Sequence, residues 1–336
     1  MSDPQQAVIP RAATAPPDGT DNADERPGQS PARLAWARFR RDRVGMVCLG
    51  VVLGVVVIGA LAPVIAWVYG KNPAEHYGQD DAGLLTDSGY PAGANGGIGA
   101  RFWFGLEPGL GRDVFTQLLY GIRTSLLIAV SCVLITSLIG AVVGIAVGYL
   151  GGVVEKGFEF VANVMLAFPS LLLLIALTPV INSRLVAPDQ NEPAWMQFTS
   201  VILVLSLFGW ITQAMVLRSV VRSLREREFV KAARALGMSR RRIVLTELLP
   251  NLWGPVIVHI TVAVPAYVAF EAALSFLGQG INEPVPDWGR MIGHAGQVFY
   301  SDPTYMLFPG GAMLIFVLAF NLLGDSVRDA LDPKSA

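Results

Sequence analysis

Charge is the first thing this sequence is short of. Only 15% of its 336 residues are Asp, Glu, Lys or Arg, and 53% are hydrophobic, whereas a soluble domain carries about 25% charged residues. That balance excludes intrinsic disorder for most of the chain, and a net charge of −1 excludes a basic nucleic-acid binder. Lysine is nearly absent, at four residues. None of the four stands in Gly-x-x-x-x-Gly-Lys-Ser/Thr, so the chain has no Walker-type phosphate loop. Two cysteines, Cys48 and Cys132, both lie in apolar runs, which excludes a disulfide framework. His76, His259 and His294 are scattered without ligand spacing, so a zinc site is not expected. No stretch alternates apolar and polar residues as a barrel strand would.

Long apolar runs are what the chain has instead. Six reach the ~20 residues that cross a hydrocarbon core: 44–68, 125–149, 158–180, 198–217, 256–277 and 305–323. Helices are expected, because backbone groups in lipid must be satisfied within the segment. The first run could be taken for a signal peptide, with Ala60-Leu61-Ala62 as a cleavage site. It exceeds the 7–15 residues of a signal core, and Pro63 follows the would-be cut. An uncleaved span is the better reading.

Basic residues orient the spans. With the N-terminus inside, 19 Lys and Arg fall in the inner segments and 6 in the outer ones. Six spans with both termini cytoplasmic satisfy that asymmetry. Around them we read a disordered tail (1–32), a basic amphipathic segment that lies on an anionic leaflet (33–43), and a first span (44–68). An extracytoplasmic loop (69–118) precedes a five-helix core (119–325), and a short cytoplasmic tail (326–336) closes the chain. The outer loop, long and rich in Gly and Asp, forms either a small cap or a flexible excursion. Its Gly93–Gly99 stretch reads as a linker. Gly140, Gly144 and Gly148 form a stripe in the second span, and Gly50 and Gly54 a shorter one in the first. Such stripes let backbones approach closely, at a moving or subunit interface or in a static contact within the chain.

The inner segment 223–250 is the most informative. Nine bases fall within 218–242, and an Ala-rich stretch, Lys231-Ala232-Ala233-Arg234-Ala235-Leu236, ends at Gly237. Gly is favoured just past a helix C-terminus. Ser239 is then placed to cap a second helix that stops before Pro250. Positive-inside bias accounts for the charge but not for the helix–Gly–helix pattern. Small side chains followed by Gly make a compact knob able to enter a groove on another protein.

Ala232-Ala233-x-x-x-Gly237, followed by Leu249-Pro250, resembles the EAA loop of ATP-binding-cassette importer permeases, with Lys231 where that family carries Glu. The likeness covers nearly the whole chain after residue 33. Phe104-Gly105, Leu110-Gly111-Arg112-Asp113 and Tyr120-Gly121 are similar to the signature of dipeptide and oligopeptide permeases before the second span. Leu166-Ala167-Phe168-Pro169-Ser170, Leu274-Ser275-Phe276-Leu277-Gly278 with Trp288-Gly289-Arg290, and Phe308-Pro309-Gly310 with Asn321, Asp325 and Arg328 follow in the family's order. Lys156, Glu159 and Asn163 depart from that pattern, so family ion pairs are not transferred to this region.

The resemblance implies an all-α type I importer permease in a bacterial cytoplasmic membrane. It implies ATPase coupling through Lys231, Ala232, Ala233, Ala235, Leu236, Gly237, Leu249 and Pro250. The implied partners are a homologous second permease, two ATPase subunits that bind ATP and Mg, an extracytoplasmic binding protein and membrane lipid. The chain itself is expected to hold no cofactor or metal and to catalyse nothing. Its substrate would be a peptide, with nickel chelates or another small solute as the alternative. From the residues alone, Glu271 is a pathway candidate, because an acid deep in a span is costly. The alternative is a hydrogen-bonded group that holds the helices together. Gln213 and His259 are lesser candidates. A secondary transporter would need intramembrane ionisable groups and internal repeats. Only one acid lies well inside a span, and no inverted repeat is evident.

Overall fold

The computed structural model describes residues 31–185 and 193–331. The expected disordered tail lies almost wholly outside the described residues, as does the end of the C-terminal tail.

The basic segment forms α1 (Pro31–Phe39), and the first span runs through α2 (Arg43–Ala60) into α3 (Ala62–Tyr69). Asp42 starts α2 by accepting a hydrogen bond from the Val44 N–H at 2.9 Å. The run is interrupted at Leu61, one residue ahead of the first turn of α3 that holds Pro63, because proline has no N–H for the helix ladder. Two single turns, α4 (Tyr77–Asp80) and α5 (Ala94–Gly97), sit in the outer loop. Then comes α6 (Val114–Leu150), started by Asp113, whose carboxylate accepts from the Thr116 N–H at 2.7 Å. Its 37 residues span roughly 55 Å. It therefore begins well before the apolar run at 125 and projects its first turns beyond the hydrocarbon.

The third run is not one helix. It divides into α7 (Gly152–Ala167) and α8 (Ser170–Leu185), bent by 86°. The break is Phe168, which adopts φ −82°, ψ 136° immediately before Pro169, as the proline ring disfavours the helical region for its predecessor. Among the described residues, five helices are long and apolar enough to cross a membrane, and six crossings result if the bent pair is one of them.

Next come α9 (Ala194–Arg225), α10 (Glu228–Ala235) and α11 (Arg240–Arg242). A π-helical turn (Ile243–Leu248) and a 3₁₀ turn (Leu249–Asn251) lead into α12 (Trp253–Phe276), then α13 (Trp288–Val298) and α14 (Pro303–Leu331). The second loop helix, expected to stop before Pro250, instead continues into the fifth span. The π turn ends at Leu248, and Pro250 falls in the first positions of the 3₁₀ turn, where a missing N–H costs no helical bond; the Asn251 amide caps the Glu247 carbonyl at 2.6 Å. No strand occurs among the described residues.

The Gly140, Gly144 and Gly148 stripe is a contact within the chain. A Cβ at Gly144 would lie 2.6 Å from the Ala214 carbonyl oxygen, and one at Gly148 2.7 Å from that of Arg218. That approach zips α6 to α9. Gly50 and Gly54 of α2 face no atom within 4 Å.

Candidate functional site

Three regions bear on function: the basic loop, a groove at mid-span, and a polar hub under the outer loop.

The basic loop is built around one alanine. Ala233 is buried with Val230, Ile243, Leu248 and Leu252 against Leu217 and Val221 of α9. The Met238 N–H donates to the Ala233 carbonyl at 3.1 Å and the Gly237 N–H to that of Arg234 at 3.0 Å. Those two bonds form a Schellman stop, which needs the left-handed φ of +77° that Gly237 supplies. Ser239 occupies the next N-cap position in extended conformation, yet its hydroxyl makes no cap bond. The remaining loop residues point outward. Ala232, Ala235 and Gly237 are exposed, Leu236 is 83% exposed, and Lys231 pairs with Glu228 at 3.1 Å. Leu249 and Pro250 are exposed at the far end of the loop. Seven of the eight expected coupling residues thus form an outward surface, and Ala233 is the peg beneath it.

At mid-span, the bent α7–α8 pair leaves a groove of about 370 Å³ against α9 and α12. Its polar lining comes from Thr212, His259 and Tyr267, with Phe168 and Ser170 from the break itself. Space for the Tyr267 hydroxyl exists only because residue 209 is glycine; a Cβ there would lie 1.7 Å from the oxygen. Neither Glu271 nor Gln213 lines this groove. Gln213 is fully buried in the α6–α9 seam with no hydrogen-bond partner among the described residues. Glu271 is fully buried on α12 and accepts from the Ser275 hydroxyl at 3.1 Å. Trp288 of α13 is wholly buried, edge-on to Phe316 at 5.8 Å. Gly289 lets α13 ride on α12, since a Cβ would meet the Ala272 carbonyl oxygen at 2.3 Å.

The outer loop is a folded cap with a small core of Tyr77, Phe102 and Leu106. The Gly93–Gly99 stretch is not a linker. The Gly96 carbonyl accepts from the Leu106 N–H at 2.9 Å, and a Cβ at Gly105 would lie 2.2 Å from that same oxygen. Aromatic rings join the cap to the bundle, with Phe104 stacked on Phe308 of α14 at 4.2 Å.

Beneath the cap lies the hub. Glu107, 2% exposed, receives Arg112 Nε at 2.5 Å and Nη2 at 3.0 Å, together with the Gln117 amide at 2.7 Å. His294 Nδ1 of α13 lies 2.9 Å from it and the Tyr305 hydroxyl of α14 3.3 Å. Arg112 also reaches Glu283 at 3.0 Å. Burial works to raise the Glu107 carboxyl, but the bonds from His294, Arg112 and Gln117 outweigh it and hold the group down at about 2. Burial likewise opposes the Arg112 charge, and its two carboxylate partners raise it nonetheless.

Sequence reasoning did not find this hub. The one signal available was an acid and a base five residues apart between two family strings. No family ion pair was carried over to Lys156, Glu159 and Asn163; the structure joins Arg218 to Glu159 and, at 3.6 Å, to the nearby Glu155. Those pairs fasten α7 to α9.

Comparison with known proteins gives the chain a family. Residues 140–336 match the family described as binding-protein-dependent transport system inner membrane component. Residues 30–84 match the N-terminal transmembrane domain of oligopeptide transport permease C. The chain is 34% identical over 325 residues to the dipeptide transport system permease protein DppC of Alkalihalophilus pseudofirmus, covering 96% of each chain. It is 31% identical over 300 residues to the oligopeptide transport system permease protein OppC of Bacillus subtilis, covering 89% of this chain and 88% of that one. Among solved structures, an inward-facing MetNI methionine ABC transporter chain aligns with 64% of this chain and 96% of its own length, at 19% identity and a TM-score of 0.49. The chain is a multi-pass membrane protein and belongs to the family of inner-membrane components of binding-protein-dependent transport systems.

Proposed function

We propose that this chain is a permease subunit of an ATP-binding-cassette importer of type I fold that carries peptides inward, both of its termini being cytoplasmic. It pairs with a homologous permease and contributes half of the path. Two ATPase subunits, which bind ATP and Mg, dock beneath, and an extracytoplasmic binding protein delivers the peptide to the cap. Relatives at 31–34% identity over most of the chain carry dipeptide and oligopeptide transport in their names, which supports a peptide substrate. A nickel chelate or another small solute is the alternative, since selectivity in such systems rests largely with the binding protein.

The observation that carries the reading is the 228–237 knob. Ala232, Ala235 and Gly237 face outward, and the anchor, Ala233, is fixed in the bundle. A knob held this way transmits force rather than bending. ATP closure of the ATPases displaces the knob, and with it α9 and α12, between two bistable arrangements of the spans. The groove lined by Thr212, His259 and Tyr267 is the wall offered to the path, and Gln213 and Glu271 back it from the helix seams. Capture of the tagged chain from its native membrane tests the assembly. An ATPase pair and a second permease are expected with it, and ATP-driven dipeptide uptake is expected on reconstitution. Proton-coupled uptake by the isolated chain would refute the reading.

A further inference from the structure

The basic helix α1 is pinned to the bundle. Phe39 is buried within the bundle core, and Trp36, half exposed, stacks on it with ring centres 5.7 Å apart. Between α1 and the spans runs a groove of about 360 Å³, walled by Ala35, Trp36 and Phe39 of α1, Leu49 of α2, Thr261 of α12 and Phe320 of α14. Ligand sites are commonly of this size. Among the described residues its lining holds two side chains with a polar atom, Trp36 and Thr261. The Thr261 hydroxyl is spent on its own helix, where it donates to the Val258 carbonyl at 2.9 Å. What remains is a dry slot that suits hydrocarbon and offers a polar ligand little to bond.

Charge borders the slot. Arg33 precedes Trp36 by three residues and Arg40 follows it by four, and the Arg40 N–H still donates to the Trp36 carbonyl at 3.0 Å. The three side chains therefore share one helical face. Both arginines are exposed, and neither has an acidic partner among the described residues. Asp42, the one acid in 33–43, is engaged in starting α2. Leu49 lies six residues beyond Arg43 at the start of α2, roughly 9 Å along the helix. The groove thus runs from a level of exposed arginines into the depth of the apolar run. In a membrane protein, the molecule that offers hydrocarbon to such a slot and phosphate to such arginines is a phospholipid.

We propose that this groove is a site for one anionic phospholipid, with an acyl chain in the slot and the phosphate held by Arg33 and Arg40. An anionic leaflet then meets α1 through one bound lipid rather than as a uniform surface. The inference is independent of what the protein transports.

The test uses the full-length chain in phosphatidylcholine nanodiscs doped with phosphatidylglycerol, one lipid or the other being brominated on its acyl chains. Bromine quenches a tryptophan that it touches. The Trp36 signal is the difference between each protein and the same protein carrying Trp36→Phe. Its dependence on lipid fraction gives the preference for phosphatidylglycerol at this position. The wild type is expected to prefer it about tenfold, less as NaCl is raised. Arg33→Gln with Arg40→Gln is expected to abolish the preference. Ala35→Phe, which fills the slot and keeps both arginines, is expected to abolish it too. Equal melting temperatures show that the variants fold; if one does not, the other and the salt series decide. No preference in the wild type would overturn the site. So would a full preference in Ala35→Phe, since the arginines would then gather anionic lipid without the groove. Shielding of Trp36 from both brominated lipids would overturn it as well, by showing that protein covers the groove.

Discussion

Arg112 and Glu107 stand five residues apart and are joined by two hydrogen bonds of 2.5 and 3.0 Å, with both side chains almost wholly buried. That bond closes the outer cap onto the mouth of α6. Through His294 and Tyr305, Glu107 also ties the cap to α13 and α14. The cap is therefore braced against the bundle. Replacing Glu107 with Gln leaves the Arg112 guanidinium buried with only the half-exposed Glu283 as counter-charge. The expected loss is about 3 kcal/mol of stability, to be measured as a lower melting temperature of the detergent-solubilised protein.

The same carboxylate fixes an acid limit. Its folded value of about 2 lies below the ordinary 4.5, so its contribution is complete above about pH 4.5 and is lost as the pH falls toward 2. Melting temperatures recorded from pH 7 to pH 3 are expected to converge for wild type and Glu107→Gln as acid removes what the substitution has already removed. Parallel curves across that window would show that Glu107 does not carry the pairing.

The two glycine stripes are expected to respond in opposite ways. Gly144→Leu drives a side chain into the Ala214 backbone and should cost at least about 1–3 kcal/mol. Gly54→Ala meets nothing within 4 Å and gains helix propensity, for a change of about 0.5–1 kcal/mol in the stabilising direction. Thermal unfolding of the two variants side by side checks the contrast.

Within the basic loop, Ala233 and Gly237 should fail for different reasons. Ala233→Phe overfills the cluster of Val230, Ile243 and Leu248, so it should lower thermal stability before any partner is present. Gly237→Val strains only the left-handed stop, by about 1–2 kcal/mol. Limited proteolysis of the isolated chain should show new cleavage near residue 237 in that variant, with the bundle intact.

Local chemistry decided what could be read in advance. The knob was legible because Ala and Gly spacing acts over a single turn and its stop, Gly237, is in the same ten residues. Pro169 was equally visible, but the run around it is apolar throughout, so hydropathy joined two helices that the backbone separates by 86°. The end of the loop helix was misjudged because the chain passes from a π turn into a 3₁₀ turn that holds Pro250 at its start, a change of winding that no local pattern announces. The Glu107 hub lay beyond reach for a different reason. Two of its partners, His294 and Tyr305, are 187 and 198 residues away in the chain, and only the folded bundle brings them to one carboxylate.

The central claim is that the 228–237 knob couples an ATPase to the spans, and Leu236→Asp tests it most directly. Leu236 is 83% exposed, so the substitution leaves the fold of the isolated chain unchanged. The measurement is ATP hydrolysis and dipeptide uptake together, in proteoliposomes holding the complete transporter and supplied with its binding protein. The account predicts that uptake falls at least about tenfold and that hydrolysis no longer responds to the loaded binding protein. Full uptake with normally stimulated hydrolysis would contradict it.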